Sequence, residues 1–165
     1  MSAGVRVGQG VDVHAFSQDP ARPLVLGGVP LPEGPGLAGH SDADVVAHAV
    51  VDALLGAAGL GDIGTLFGSQ DPRWAGADSA VFVAEAARRA YSAGWAVGNV
   101  DCTIIAQRPQ IGSHRGVIAA SVARMLDVAD DMVGVKATTT DSLGFLGRSE
   151  GIACLAVALL TQRVP

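Results

Sequence analysis

Apolar and polar positions alternate over residues 5–14, "VRVGQGVDVH". Val5, Val7, Val11 and Val13, with Gln9 among them, share one face of an extended strand; Arg6, Gly8, Gly10, Asp12 and His14 share the other. The valines are expected to hold this strand in the core. "LVLGGVPL", 24–31, predicts a short hairpin turning at Gly27-Gly28, followed by a loop over 32–39. "HSDADVVAHAVVDALLGAAGLG" predicts a helix over about 42–58, with Ser41 as N-cap, Asp44 as its capping-box partner, and Gly59 and Gly61 ending it. Residues 61–77 read as a long polar loop, a length that signals function or motion. A second helix starts at Asp78 or Ser79 and runs to about 93. A strand follows over 95–107, then the turn "RPQIGS", a third helix over about 114–127, and a strand over 132–139. "TDSLGFLGRSEG" is a Gly-rich loop. The final run "IACLAVALL", 152–160, is apolar at both alternations, which fits a doubly buried strand or a helix; the preceding Gly151 and site-like loop favour the strand. The order is β-hairpin-α-α-β-α-β-β. With 165 residues and no repeat or linker, the chain reads as one domain, 1–165.

Composition changes this picture in three ways. The formal net charge of −5 argues against non-specific nucleic-acid binding, which needs a basic face, but leaves room for a local or metal-built anion site. Charged residues make up 16% of the chain and mean hydropathy is +0.37, yet no apolar run reaches the roughly 18 residues of a membrane span. An oligomer that buries apolar surface fits both facts, and so does a plain Ala/Val/Gly bias. "MSAGVRVGQG" lacks the basic and apolar regions of a signal peptide, and Cys102 and Cys154 lack Cys-x-x-Cys spacing. Buried, reduced thiols in a cytoplasmic protein are therefore expected.

Asp12 and His14 stand two residues apart on a strand, so their side chains project together, about 7 Å apart along the backbone. Zinc accepts imidazole nitrogen and carboxylate oxygen, and His48, in mid-helix, is a fair third ligand. Asp44 or Asp52, one turn either side of His48, is a candidate to orient an imidazole. A polar strand edge facing solvent explains Asp-x-His equally well on spacing alone. His40-Ser41, at a helix start, suits an anion, although a simple cap accounts for Ser41. "KATTTD", 136–141, ends a strand with three hydroxyls and a carboxylate, groups that bind phosphate and Mg²⁺ or merely make a turn. Arg148 among glycines suits an anion or a solvated loop.

Together "DVHAF", "HSDADVVAHAVVDALLGAAGLGDIG", "DP", "GNVDCTIIAQRP" and "VKATTTDSLGFLGRSEGIAC" resemble, in order and spacing, the 2-C-methyl-D-erythritol 2,4-cyclodiphosphate synthase family. The similarity spans about Arg6 to Leu160. It implies an α+β fold: a mixed four-stranded sheet with helices packed on one face, a β-α-β-α-β-β core plus a small hairpin, assembled as a homotrimer with active sites between subunits. It implies a phosphorus-oxygen lyase of the non-mevalonate isoprenoid pathway. The 2-phosphate of 4-diphosphocytidyl-2-C-methyl-D-erythritol 2-phosphate attacks the β-phosphate of the same molecule and releases CMP. It implies one zinc per subunit on Asp12, His14 and His48, and Mg²⁺ or Mn²⁺ with the substrate diphosphate, with Asp141 as a magnesium ligand.

Carried over position by position, His40 and Ser41 meet the methylerythritol phosphate end, and Asp12 and His14 reach substrate through the metal. Asp62, Ile63 and Gly64 match a substrate-contacting segment, Asp62 being the candidate for the ribose hydroxyls; Phe67 and Asp71 follow on the same loop. Ala106, Gln107, Arg108, Pro109, Gln110, Ile111 and Gly112 match the cytosine pocket. Thr138, Thr139, Thr140 and Asp141 match the diphosphate site, with His40 and Thr139 as catalytic donors. Phe145 and Arg148 match contacts near the substrate or the trimer axis, where a prenyl diphosphate is a further candidate ligand. Three positions depart from the family's common pattern. Asp141 stands where Glu is usual, the 67–72 loop has lost its first acidic residue at Ser69-Gln70, and Gln110 replaces a common Lys. Two other readings share these residues: a zinc phosphotransferase or phosphohydrolase, and a non-catalytic trimeric protein that binds nucleotides or prenyl diphosphates around a structural zinc. The latter predicts four protein ligands, and only three strong candidates are present.

Overall fold

A computed structural model describes residues 4–68 and 71–163; Ser69 and Gln70, where the altered loop departs most, lie outside the described residues. Strands β1 (Val5–Ala15), β4 (Trp95–Ile105), β5 (Val133–Thr138) and β6 (Gly151–Gln162) form one sheet in the order β1-β6-β4-β5. β6 runs antiparallel to both β1 and β4, and β5 is parallel to β4, so the sheet is mixed. β2 (Leu24–Leu26) and β3 (Val29–Leu31) make the predicted hairpin. Helices α1 (Val45–Ala58), α3 (Ala80–Ser92) and α4 (Arg115–Leu126) cover one face of the sheet. The stretch 61–77 is more ordered than a loop: α2 (Ile63–Phe67) and a 3-10 turn, Pro72–Trp74, occupy it. α5 (Gly144–Gly147) is a single turn inside the Gly-rich loop.

The two faces of β1 are those the alternation predicts, but inside and outside are exchanged. Gly8 and Gly10 are buried against α1, whereas Val5, Val7, Val11 and Val13 are 46–64% exposed. The reason is distance. A β-carbon on Gly10 would lie 1.9 Å from the Ala49 carbonyl oxygen, and one on Gly8 2.1 Å from that of Ala53. Glycines on the strand and alanines at one-turn spacing on α1 let backbone meet backbone, which no valine face permits. β6 shows the same division. Ile152, Cys154, Ala156, Ala158 and Leu160 are fully buried under the helices, while Val157 on the open face is 40% exposed. The expected burial on both faces is therefore incomplete within one chain.

The start of α1 also differs from expectation. Asp44, not Ser41, is the N-cap: its carboxylate accepts hydrogen bonds from the N–H groups of Val46 and Ala47 and, across the fold, from Gly27 and Gly28 of the hairpin turn. Ala43 has φ +57°, a left-handed conformation that stops the helix from extending back to residue 42. Burial pushes the Asp44 carboxyl up to about 6, against the pull of those N–H donors.

Candidate metal centre and substrate cleft

Close packing of α1 on β1 carries His48 over Asp12 and His14. Asp12 Oδ2 lies 2.9 Å from His14 Nε2 and 3.2 Å from His48 Nδ1, and the two ring nitrogens are 3.3 Å apart. Among the described residues these three form a cluster whose ligand atoms all lie within 4.8 Å of one another, as a metal ion requires. Both imidazoles turn their other nitrogen away from this point. His14 Nδ1 lies 2.6 Å from the Ala38 carbonyl oxygen, which only accepts, so Nδ1 carries the proton and Nε2 keeps its lone pair for the cluster. His48 Nε2 faces the hydroxyls of Ser79, at 2.9 Å, and Ser41, at 3.2 Å. Burial opposes the charge on Asp12, but the two imidazole rings beside its carboxylate outweigh this and hold the carboxyl well below the usual range. Burial likewise pulls the His14 pKa down, and the Asp12 carboxylate more than reverses this, leaving it above 6.5.

Neither expected orienting carboxylate does that work. Asp44 caps α1, and Asp52 accepts the Ile63 N–H at 2.7 Å, which fixes the start of α2. The cluster opens into a cavity of about 230 Å³ whose polar side carries His40 and Ser41 and whose apolar side carries Ile63, Phe67, Trp74 and Phe82. Phe67 and Phe82 pack tilted by 46° with centroids 4.5 Å apart, and Trp74 meets both edge-on at 5.6 and 5.3 Å. His40 Nε2 donates to the Asp71 carbonyl at 2.8 Å, tying residue 71 to the polar side of the cleft. Asp62 caps α2 by accepting the Thr65 N–H, and this bond holds its carboxyl below the usual range.

The other predicted residues gather elsewhere. Ala106 donates its N–H to the Thr138 carbonyl at the ends of the parallel strands β4 and β5, where residues 106–112 and 138–141 converge. Gln107 Oε1 accepts the Ser142 N–H, and Thr139 and Asp141 hydrogen-bond each other. The Arg108–Pro109 bond is cis. Phe145 is 47% exposed, and Arg148 pairs with Glu150. This cluster is not part of the metal cavity. β5 lies three strand spacings from β1, about 14 Å. Asp141 neither lines that cavity nor joins the three-residue cluster. One chain thus brings together Asp12, His14, His40, Ser41, His48, Ile63, Gly64 and Phe67, and keeps 106–112, 138–141, Phe145 and Arg148 apart from them. Reading the sequence missed Ala38, Ser79, Trp74 and Phe82. The two aromatics carried a signal, since only 4% of the chain is aromatic; Ser79, 31 residues from His48, carried none.

The family model described as the YgbB family matches residues 5–161. A 2-C-methyl-D-erythritol 2,4-cyclodiphosphate synthase of Bordetella avium is 53% identical over 163 residues, 99% of each chain. That of Ralstonia pickettii is 53% identical over 156 residues, covering 94% of this chain and 92% of the relative. Among solved structures, the bifunctional IspDF of Campylobacter jejuni superposes with a TM-score of 0.92 at 40% identity, over 98% of this chain and 43% of that one. The CDP complex of Plasmodium falciparum IspF superposes with a TM-score of 0.85 at 36% identity, over 98% of both chains. This chain belongs to the YgbB family of 2-C-methyl-D-erythritol 2,4-cyclodiphosphate synthases.

Proposed function

We infer that this chain is a 2-C-methyl-D-erythritol 2,4-cyclodiphosphate synthase of isoprenoid precursor biosynthesis. It cyclises 4-diphosphocytidyl-2-C-methyl-D-erythritol 2-phosphate with release of CMP, as a phosphorus-oxygen lyase. The full-length match to synthases of that name carries the conclusion. The three-ligand cluster at the mouth of a cleft is the structural feature that supports it. Three protein ligands rather than four suit an open, catalytic metal position better than the closed site of a structural zinc.

Asp12, His14 and His48 fit zinc by donor type, by convergence of their ligand atoms, and by the proton on the outer nitrogen of His14. Bound there, zinc would supply Lewis-acid polarisation of a phosphate oxygen, and Mg²⁺ or Mn²⁺ with the diphosphate, near Asp141, would neutralise charge on the leaving CMP. The chain's own groups do the rest by position. His40 and Ser41 hold the methylerythritol phosphate end, and His40 and Thr139 donate hydrogen bonds as charge shifts between phosphates. Asp62, Ile63, Gly64, Phe67 and Asp71 line the substrate along segment 62–77. The aromatic wall excludes water from the reacting phosphates. The turn from Ala106 to Gly112 takes the cytosine by its backbone groups, and Thr138, Thr140, Phe145 and Arg148 complete the diphosphate end. A phosphate monoester has a second pKa near 6, so the attacking 2-phosphate is mostly deprotonated at neutral pH and needs no general base.

We further propose a single-domain subunit, residues 1–165, in a homotrimer whose active sites join the metal cleft of one chain to residues 106–112 and 138–141 of the next. The separation of these two clusters within one chain supports this, as does the exposed valine face of β1 beside Val157. A prenyl diphosphate on the trimer axis, near Phe145 and Arg148, belongs to the same proposal. Two free, buried cysteines fit a cytoplasmic location, and no described helix is long and apolar enough to cross a membrane. The test is to mix purified protein, Mg²⁺ and the diphosphocytidyl substrate and to follow CMP and phosphorus-31 NMR. Stoichiometric CMP with two coupled ring phosphorus signals is expected; a linear phosphate product or unchanged substrate overturns the assignment.

A further inference from the structure

His48 is the one cluster ligand whose outer nitrogen meets side chains rather than a carbonyl. Its Nε2 lies 2.9 Å from Ser79 Oγ. The Ser79 hydroxyl in turn donates to Asp42 Oδ1, and the Ser79 N–H donates to Asp42 Oδ2 at 2.9 Å. With its proton committed to a carboxylate, Ser79 Oγ has only lone pairs to offer the imidazole. The bond therefore runs one way: His48 Nε2–H to Ser79, then Ser79 O–H to Asp42. This places the imidazole proton on Nε2 and leaves the Nδ1 lone pair facing Asp12 and His14.

A second observation separates Ser79 from an ordinary helix start. It directly precedes α3 with φ −65° and ψ −12°, already helical, and its hydroxyl makes no cap bond. Asp78 takes the Ala80 N–H instead. Ser79 is fully buried, so its hydroxyl has been turned inward, from the helix to His48 and Asp42. Ser41, the other hydroxyl near Nε2, is longer at 3.2 Å and already accepts the Ala43 N–H.

The same residues anchor segment 62–77. Asp42 donates its N–H to the Ala77 carbonyl at 3.0 Å, and Gly76 donates to the His40 carbonyl at 2.8 Å. We propose that Ser79, braced by Asp42, is a positioning residue that fixes the tautomer and ring orientation of His48 and joins the metal seat to residues 76–77, at the end of the stretch whose Ile63, Phe67 and Trp74 line the cleft. The proposal rests on the metal reading of the Asp12–His14–His48 cluster and not on the cyclisation chemistry.

Zinc binding alone tests it, by competition of the metal-free protein against a chromophoric chelator, together with nitrogen-15 NMR of the histidine rings. One zinc per chain in the unaltered protein upholds the metal reading; no zinc would remove that reading before Ser79 is at issue. With zinc loaded, His48 is expected to carry its proton on Nε2. Ser79→Ala is expected to weaken zinc affinity by about 10- to 100-fold at unchanged stoichiometry, the range for loss of a group that orients a metal ligand, and to shift the His48 Nε2 resonance. Ser79→Thr, which keeps the hydroxyl, is expected to retain affinity. Unaltered affinity in Ser79→Ala, or a zinc-loaded His48 protonated on Nδ1, overturns the proposal. The second readout needs only the unaltered protein, so it decides even if the alanine variant does not fold.

Discussion

Replacing Gly10 by alanine sets a β-carbon 1.9 Å from the Ala49 carbonyl oxygen and 2.8 Å from the Ala53 nitrogen, both backbone atoms of α1. Ordinary contact begins near 3.4 Å, so the helix must retreat by about 1.5 Å or the strand must buckle. No flexible side-chain end is available to give way. The displacement falls on the metal cluster, because Ala49 adjoins His48 and Gly10 lies two residues before Asp12. Ligand atoms now 2.9–3.3 Å apart would separate by several times the roughly 0.2 Å that a metal site tolerates. The expected costs are about 3 kcal/mol of stability, read as a fall of about 6–12 °C in Tm, and about 100-fold or more in zinc affinity. Thermal unfolding by circular dichroism and chelator competition measure the two. Gly56→Ala is the matched control: it lies on the exposed side of the same helix, has nothing within 4 Å of its added carbon, and should gain up to about 1 kcal/mol. Unchanged Tm and zinc affinity in Gly10→Ala would refute the argument that glycine is there to let helix and strand meet.

Two further outcomes follow from the open sheet face and from the charge state of the cluster. Val11→Asp puts a carboxylate on a face where Val11 is 53% exposed and pairs with Leu155 of β6; it should reduce the proposed trimer to monomers in light scattering, and an unaltered mass would contradict burial of this face. Zinc affinity should fall about tenfold per pH unit as pH drops through the His14 pKa, which starts above 6.5, because the metal must displace that proton while Asp12 stays ionised. The sign for folding of the metal-free protein is opposite: the raised His14 pKa adds stability below 6.5, and this contribution is lost as pH rises through the folded value. A zinc affinity flat across that window would show that His14 is not a ligand.

Much of the site's chemistry was legible in the order of residues, because it depends on local spacing and on motif combination. Asp12 and His14 share a strand face by period alone, His48 sits on a helix that its apolar spacing predicts, and the joint occurrence of five short motifs points to one family. Element order and the hairpin at Gly27-Gly28 followed from alternation and turn chemistry. What alternation does not encode is which face is inside. Burial of β1 was decided by how close α1 could come, a backbone contact between Gly8, Gly10 and a row of alanines that no hydropathy pattern records, and it left the valines outside. The cap on α1 moved from Ser41 to Asp44 because Ala43 turned left-handed and the hairpin turn, distant in sequence, offered two more N–H donors. Tertiary structure alone brought Ser79 to His48 and gathered Phe67, Trp74 and Phe82 into one wall. It also set residues 106–112 two strands, and 138–141 three strands, from β1 of the metal cluster, a separation fixed by strand order in the sheet and not by distance along the chain.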